Sequence, residues 1–430
     1  MPRSRVSQSL INHDQGAGVK KNGLVAKIGY NGILSSMLSR RTKPINSITN
    51  NNNIIYKNAI GIFSGMYTSM AVMSDNYLYA WGYNSKGLYG NGTSIDRNTP
   101  IKTGILNIVK LDSHTNLVLS LTSNNKLYSW GDNSYGQLGD GTNIDSTIPV
   151  EVDMTGVLSG KTITQIGCND IVCLVLSSDN KLFSWGGNGA GMLGDGTNND
   201  SNIPVSVDMT GVLFGKTITN IGVGAIHCIV TTSDNKICAW GNNVYGQYGD
   251  GTYSNSSVPV ETNNSGLLLG KTIVKISAGY QHNLVLTSDN KLYTWGYNLS
   301  GQLGNGTNND SNVPVEVDMT GVLSGKTITQ ISTKGHFCLV LTSDNNLYSW
   351  GDNTYGQLGD GTNISSNIPV EVNIKGDLSK KTISQISCYF AHFLILTTDG
   401  DIYACGMNIH GELGNNTNNN KNVPFLVKKV

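Results

Sequence analysis

Apolar and polar positions alternate over short runs along most of this chain, with the period of two that marks β-strands. In one stretch Lys271 to Ser277 (KTIVKIS) alternates and is rich in β-branched residues, and Asn283 to Thr287 (NLVLT) follows a short glycine-bearing connection. Ser288, Asp289 and Asn290 then supply a turn, because Asp and Asn tolerate the positive φ that a tight hairpin needs. Lys291 to Trp295 returns as a third strand, with Leu292 and Thr294 on one face and Tyr293 and Trp295 on the other. After a glycine-rich excursion from Tyr297 to Thr307, Val313 to Val317 (VPVEV) reads as a fourth strand whose proline suits a sheet edge. No run places apolar residues at i, i+3, i+4 and i+7 over ten or more positions, so the pattern predicts an all-β chain.

The pattern recurs. KLYTWGYNLSGQLGNGT at Lys291 to Thr307 returns as KLYSWGDNSYGQLGDGT at Lys126, KLFSWGGNGAGMLGDGT at Lys181, KICAWGNNVYGQYGDGT at Lys236 and NLYSWGDNTYGQLGDGT at Asn346, with weaker copies at Tyr77 and Asp401. One slot holds Trp81, Trp130, Trp185, Trp240, Trp295 and Trp350, spaced by 49 and then 55 residues, and Cys405 takes the seventh position. A fixed period of this length means one supersecondary unit stacked on copies of itself. Four antiparallel strands per unit, seven units and no helix to cover the sheets predict a seven-bladed β-propeller over residues 54–430, behind a basic, Asn-rich leader at 1–53. The last Pro-bearing strand, Val423 to Val427, has no unit after it, and the Ile54 region has none before it. Ring closure is therefore expected by pairing of the C-terminal strand into the first blade, which removes open edges. The shared Trp slot is expected to pack between blades, each indole burying roughly 200 Å² for about 5 kcal/mol at most. Cys405 then predicts the weakest joint at blade 7.

Charge and cysteine content narrow the classes. Formal charge is zero, but residues 1–57 hold nine Lys/Arg against Asp14, leaving 20 basic and 28 acidic residues in the body. Such a body has no positive stripe for nucleic acid, so nucleic acid or an anionic surface is expected only at the N-terminal segment. Within that segment, HDQGAGVKKNGLVAKIG resembles short Gly-Lys-Lys leaders of giant-virus virion proteins, and its acid-poor, Arg/Ser-bearing part also reads as a transit peptide. Seven cysteines without paired spacing read as small buried hydrophobes of a reducing compartment, cytoplasmic or nuclear. No apolar run reaches membrane-spanning length.

WGxNxxGQLG with its upstream SDN turn, on a fixed pitch, resembles the regulator-of-chromosome-condensation repeat; AGYQHNLVLTSDNKLYTWGYNLSGQLG at Ala278 to Gly304 carries the resemblance best. It implies a seven-bladed propeller over residues 54–430 but no single function. Family members include an exchange factor for the GTPase Ran, a plant ultraviolet photoreceptor, ubiquitin-ligase scaffolds and a bacterial β-lactamase inhibitor. The near-isometric middle blades lack the exchange factor's wedge insert, and the photoreceptor's GWRHT pattern is absent.

No nucleophile, metalloprotease, phosphate-loop or dinucleotide motif occurs, so neither an enzyme nor a cofactor is expected. His227, His282 and His392 share one ring-equivalent slot and are expected to make structural hydrogen bonds rather than ligate a metal. Segments such as GDGTNND at Gly194 to Asp200 lack the bidentate Glu of a calcium loop and read as turns. Variation concentrates at two sets of strand-end loops, the connection before the second strand and the positions after WG. The exposed partner-binding set expected there is Tyr83, Asp132, Tyr135, Asn242, Tyr245, Tyr280, Tyr297, Asp352, Tyr355, Phe390 and His410. The expected function is a monomeric, non-enzymatic protein-binding scaffold. The alternatives are exchange on a Ran-like small GTPase, or chromatin or anionic-surface binding through the leader.

Overall fold

The computed structural model describes residues 57–262 and 266–429. The leader, the boundary drawn at residue 54 and its targeting or virion readings lie outside the described residues. Seven four-stranded antiparallel sheets form, each from four consecutive strands in sequence order. Blade 5 shows the plan: Ile273–Ala278, His282–Thr287, Leu292–Gly296 and Ser311–Glu316. The first strand of every blade lies against the first strand of the next, including blade 7 against blade 1, which sets these strands around the axis and closes the ring. Every second strand is buried throughout, as His282–Thr287 illustrates, because sheets stacked face to face cover both of its sides. The Pro-bearing fourth strands form the outer rim, where the missing proline N–H costs no ladder bond.

Closure differs from the sequence expectation. The final strand, Lys421–Leu426, pairs inside its own blade with Ile402–Gly406, with Tyr403 opposite Leu426 and Ala404 opposite Phe425. Blade 1 is complete from Ala59–Ser64, Thr68–Met73, Tyr77–Gly82 and Arg97–Leu106, so it has no vacancy for a borrowed strand. The ends meet side by side instead. Gln385 accepts from Ile62 N (3.1 Å) and donates to Ile62 O (2.8 Å), while Ser64 N donates to Ser387 Oγ (3.0 Å). Two interior joints use the same device: Gln165 accepts from Ile221 N and Gln330 from Ile386 N.

The Trp slot works as the pattern predicted. Tyr293 and Trp295 pack with Ile229, Ile237 and Val285 toward blade 4, while Leu292 faces the cluster around Val340 and Trp350. Trp295 Nε1 donates to Gln247 O (2.8 Å), and Trp81 makes the same bond to Glu412 O (2.7 Å) across the ring seam. The last glycine of GQLG is required here: Gly304 has φ +65°, and a Cβ on it would sit 2.5 Å from Trp350 Nε1.

At blade 7 the expected weak joint is filled by a neighbour. Phe393 stands opposite Cys405 on the adjacent strand, whereas Cys173, Cys228 and Cys338 stand opposite tryptophans. Large and small have exchanged strands. The Phe393 ring reaches Gly359, the counterpart of the glycines that receive tryptophan elsewhere. The first Trp interval is six residues shorter because only Asn107 joins blade 1 to blade 2. The other joints carry a crossover loop whose leucine, such as Leu158 or Leu323, is buried between blades.

Restoring the repeat letter at residue 405 should therefore harm the protein. Cys405→Trp is expected to destabilise by about 1–3 kcal/mol through overpacking, and Phe393→Ser in the same chain should recover much of that loss. Urea unfolding of the two single variants and the double variant measures the coupling.

Candidate protein-binding face

Strand direction decides which loops meet. Each blade's first and second strands are joined at the same end as its third and fourth, while the Ser-Asp-Asn turns and the crossovers lie at the opposite end. Both variable segments read from the sequence thus share one face. The outer loops contain fourteen residues in all seven blades. They are held rigid by the Asn of WGxN. Buried Asn298 donates to Thr307 O (3.0 Å) and Asn309 O (2.9 Å) and accepts from Leu303 N (2.8 Å). Turn chemistry engages the GDGT carboxylates: Asp195 Oδ1 accepts from Thr197 N and Thr197 Oγ1, both at 2.9 Å.

The buried Gln of GQLG arranges the site residues in pairs. Gln137 Oε1 accepts from Tyr135 N (2.8 Å) and its Nε2 donates to Asp132 Oδ2 (2.8 Å). Gln357 repeats this with Tyr355 N (2.8 Å) and Asp352 Oδ2 (2.7 Å), and Gln247 with Tyr245 N (2.9 Å) and Asn242 Oδ1 (3.4 Å). Two ring clusters gather most of the others. Tyr67 lies 5.5 Å from both Phe390 and His410, and Tyr83 lies 5.0 Å from His410. Tyr245 touches Tyr297 at 4.9 Å, Tyr297 touches His336 at 5.6 Å, and His336 touches Tyr280 at 5.1 Å.

The axis at this face is plugged. Lys334 of blade 6 pairs with Asp112 of blade 2 across the mouth, and its Nζ lies 5.8 Å from the centre of the buried Tyr389 ring. His114 packs edge-on against Tyr389 at 4.6 Å and pairs with Asp170 at 2.8 Å. Burial pushes the Asp170 carboxyl up, but His114 together with hydrogen bonds from Thr115 and Asn116 N makes the net shift downward. Phe390, at φ +42°, bridges to Gly335, where a Cβ would lie 2.4 Å from Phe390 O. That strain is held by the loops knitted around it.

The set named from sequence is less exposed than expected. Tyr135 is 49% exposed, whereas Tyr83, Asp132, Asn242, Tyr245, Tyr280, Tyr297, Asp352, Tyr355, Phe390 and His410 are half-buried. Tyr67, His114, Lys334 and Glu412 were missed. Glu412 had a legible signal, since it replaces the Gln of GQLG.

The histidine slot is structural. Nε2 of His227 lies 3.0 Å from Asn283 Oδ1, that of His282 lies 2.9 Å from Thr333 Oγ1, and that of His392 lies 3.0 Å from Ser69 Oγ, each in the next blade. Burial holds these imidazoles down at about 4, 3 and 3. All seven cysteines are buried and free.

Fold and loops together define a seven-bladed propeller whose variable loops share one face. The Regulator of chromosome condensation (RCC1) repeat matches residues 124–176, 179–231, 234–286, 289–341, 344–389 and 399–430, and the chain belongs to that family. It is 31% identical over 377 residues to the ultraviolet-B receptor UVR8 of Arabidopsis thaliana, covering 86% of this chain and 81% of the receptor. It is 29% identical over 346 residues to the human E3 ubiquitin-protein ligase HERC2, covering 79% of this chain but 7% of the ligase. The structure of yeast RCC1 (Prp20) bound to Kap60 superposes with a TM-score of 0.71 at 18% identity, covering 90% of this chain and 91% of that one, which shows the shared fold.

Glu412 makes the ring seam sensitive to pH. Its Oε2 accepts from His410 N (2.8 Å), but Oε1, where its sibling glutamines carry an NH₂ donor, has no partner. Burial pushes the carboxyl up to about 7, with Asp96 adding to the rise. The folded value lies above the unfolded one, so this group's contribution is complete below about 4.5 and lost as pH rises through 7. The three histidines act oppositely: their contribution is present above about 6.5 and lost as pH falls toward 4 and 3. Glu412→Gln should raise stability at pH 8 by on the order of 2 kcal/mol and leave the acid limb unchanged, as read by urea midpoints from pH 4 to 9.

Proposed function

We propose that this chain is a non-enzymatic scaffold that binds a protein partner through the loop face. The observation that carries the reading is the convergence of both variable loop sets on one rigid face, where tyrosines and carboxylates sit in pairs ordered by buried glutamines. Preorganised aromatic residues contribute contact area at little entropic cost, which suits protein recognition. The second reading, an exchange factor for a Ran-like small GTPase, draws on the family and needs no catalytic residue. Equal outer loops of fourteen residues, with no wedge among the described residues, favour the first. Seven buried free thiols support a reducing, intracellular setting. Among the described residues no helix is long and apolar enough to cross a membrane.

Tyr297→Ala combined with Tyr355→Ala should abolish partner capture, while Lys271→Ala at the opposite end leaves it intact. Quantitative affinity capture with the full chain and each variant is the measurement. Capture indifferent to the tyrosines would reject the face, and accelerated nucleotide release from a Ran-like GTPase would favour the second reading.

A further inference from the structure

Charge is divided sharply between the two ends of the ring. The loops of the binding face carry twelve carboxylates and two lysines, flanked by Arg97 and Lys421 at strand starts, whereas the turns, crossovers and tail of the opposite end carry eleven carboxylates and thirteen lysines. Both face lysines are already engaged, Lys334 by Asp112 and Lys86 by Asp132 and Asp145. A surface dominated by one sign of charge attracts the opposite sign.

The protein itself shows what fits. Lys86, from the loop of blade 1, reaches the loop of blade 2 and places its ammonium 2.9 Å from Asp132 Oδ1 and 3.0 Å from Asp145 Oδ2. Those carboxylates hold it up at about 12. Asp352 has the geometry of Asp132. Gln357 holds its Oδ2 at 2.7 Å as Gln137 holds that of Asp132, and Thr354 donates to its Oδ1 at 2.7 Å as Ser134 does at 3.0 Å. Here, however, the residue in the position of Lys86 is Ser300, and no ion pair to Asp352 occurs among the described residues. Its carboxylate is half-buried beside the blade joint that holds His336, whose imidazole burial shifts down against the upward pull of Asp352. Tyr297, packed on His336, offers a ring face to a cation at that joint.

We propose that the loop face receives a lysine- or arginine-bearing segment of its protein partner, with Asp352 taking one basic side chain as Asp132 takes Lys86. This rests on the binding-face reading and adds the chemistry of the partner. The opposite charge sign excludes a nucleic acid or acidic peptide at this face, since both would meet its carboxylates.

Fluorescence anisotropy with the full chain tests it, using labelled deca-lysine and deca-glutamate peptides at low salt. Deca-lysine should bind and deca-glutamate should not. Asp352→Asn should weaken deca-lysine binding about tenfold. Lys86→Ala, which frees Asp132 and Asp145, should tighten it several-fold, and Asp234→Asn at the opposite end should leave it unchanged. Thermal melts equal to wild type confirm that each variant is folded. Equal binding of both peptides, or deca-lysine affinity indifferent to both Asp352→Asn and Lys86→Ala, overturns the proposal. If partner capture still depends on Tyr297 and Tyr355 in that event, the face binds a partner of other chemistry and only this inference fails.

Discussion

The structure depends on one contact repeated around a circle: an indole from six of the seven blades inserted against a glycine of the blade before it, its N–H bonded to a backbone carbonyl there. Trp185 on Gln137 O (3.0 Å) and Trp350 on Gln302 O (3.0 Å) are examples. A fully buried indole needs a partner for its N–H, and the loop carbonyl supplies one while the missing glycine side chain leaves room for the ring. Because the acceptor lies in a Gly-Gln-Leu-Gly loop, the same contact that joins two blades also fixes the loops of the candidate face. Packing and loop order are mechanically one object.

The exceptions show how tightly this contact is specified. Blade 7 lacks the indole, yet Phe393 supplies bulk from the neighbouring strand, so the joint keeps its volume and gives up the N–H bond. Glu412 is the complementary case. Its backbone carbonyl accepts from Trp81 and from Ser69 Oγ at 2.7 Å each, which makes it an essential acceptor at the seam, while its side chain carries an oxygen with no donor. Ring closure therefore rests on the side-by-side contact used at every joint, not on a strand shared between the two ends.

The division of charge follows from this economy. The opposite end is laced by lysine–carboxylate pairs within blades, such as Lys161 with Asp179 and Lys326 with Asp344, and is close to neutral. Those pairs are surface-exposed and contribute little to stability, but they leave that end without a net field. The loop face keeps carboxylates because many of them accept from its backbone N–H groups, as Asp195 does from Thr197 N and Asp310 from Asn298 N.

The strands, their hairpins and the number of blades were legible in the sequence by itself, because a period of two, a turn that is Asp-Asn in five units and a Trp-Gly pitch kept in six are local properties that recur along the chain. Candidate positions such as Asp352 and Tyr297 were legible too, as departures from an otherwise uniform unit. Only the tertiary structure decided that the last strand stays in its own blade, that Phe393 stands in for a tryptophan, and that Lys86 occupies the carboxylates of the next loop. Each is a contact between residues tens of positions apart, set by which partner fills a shared space. Chain order carries no trace of that until the blades are packed.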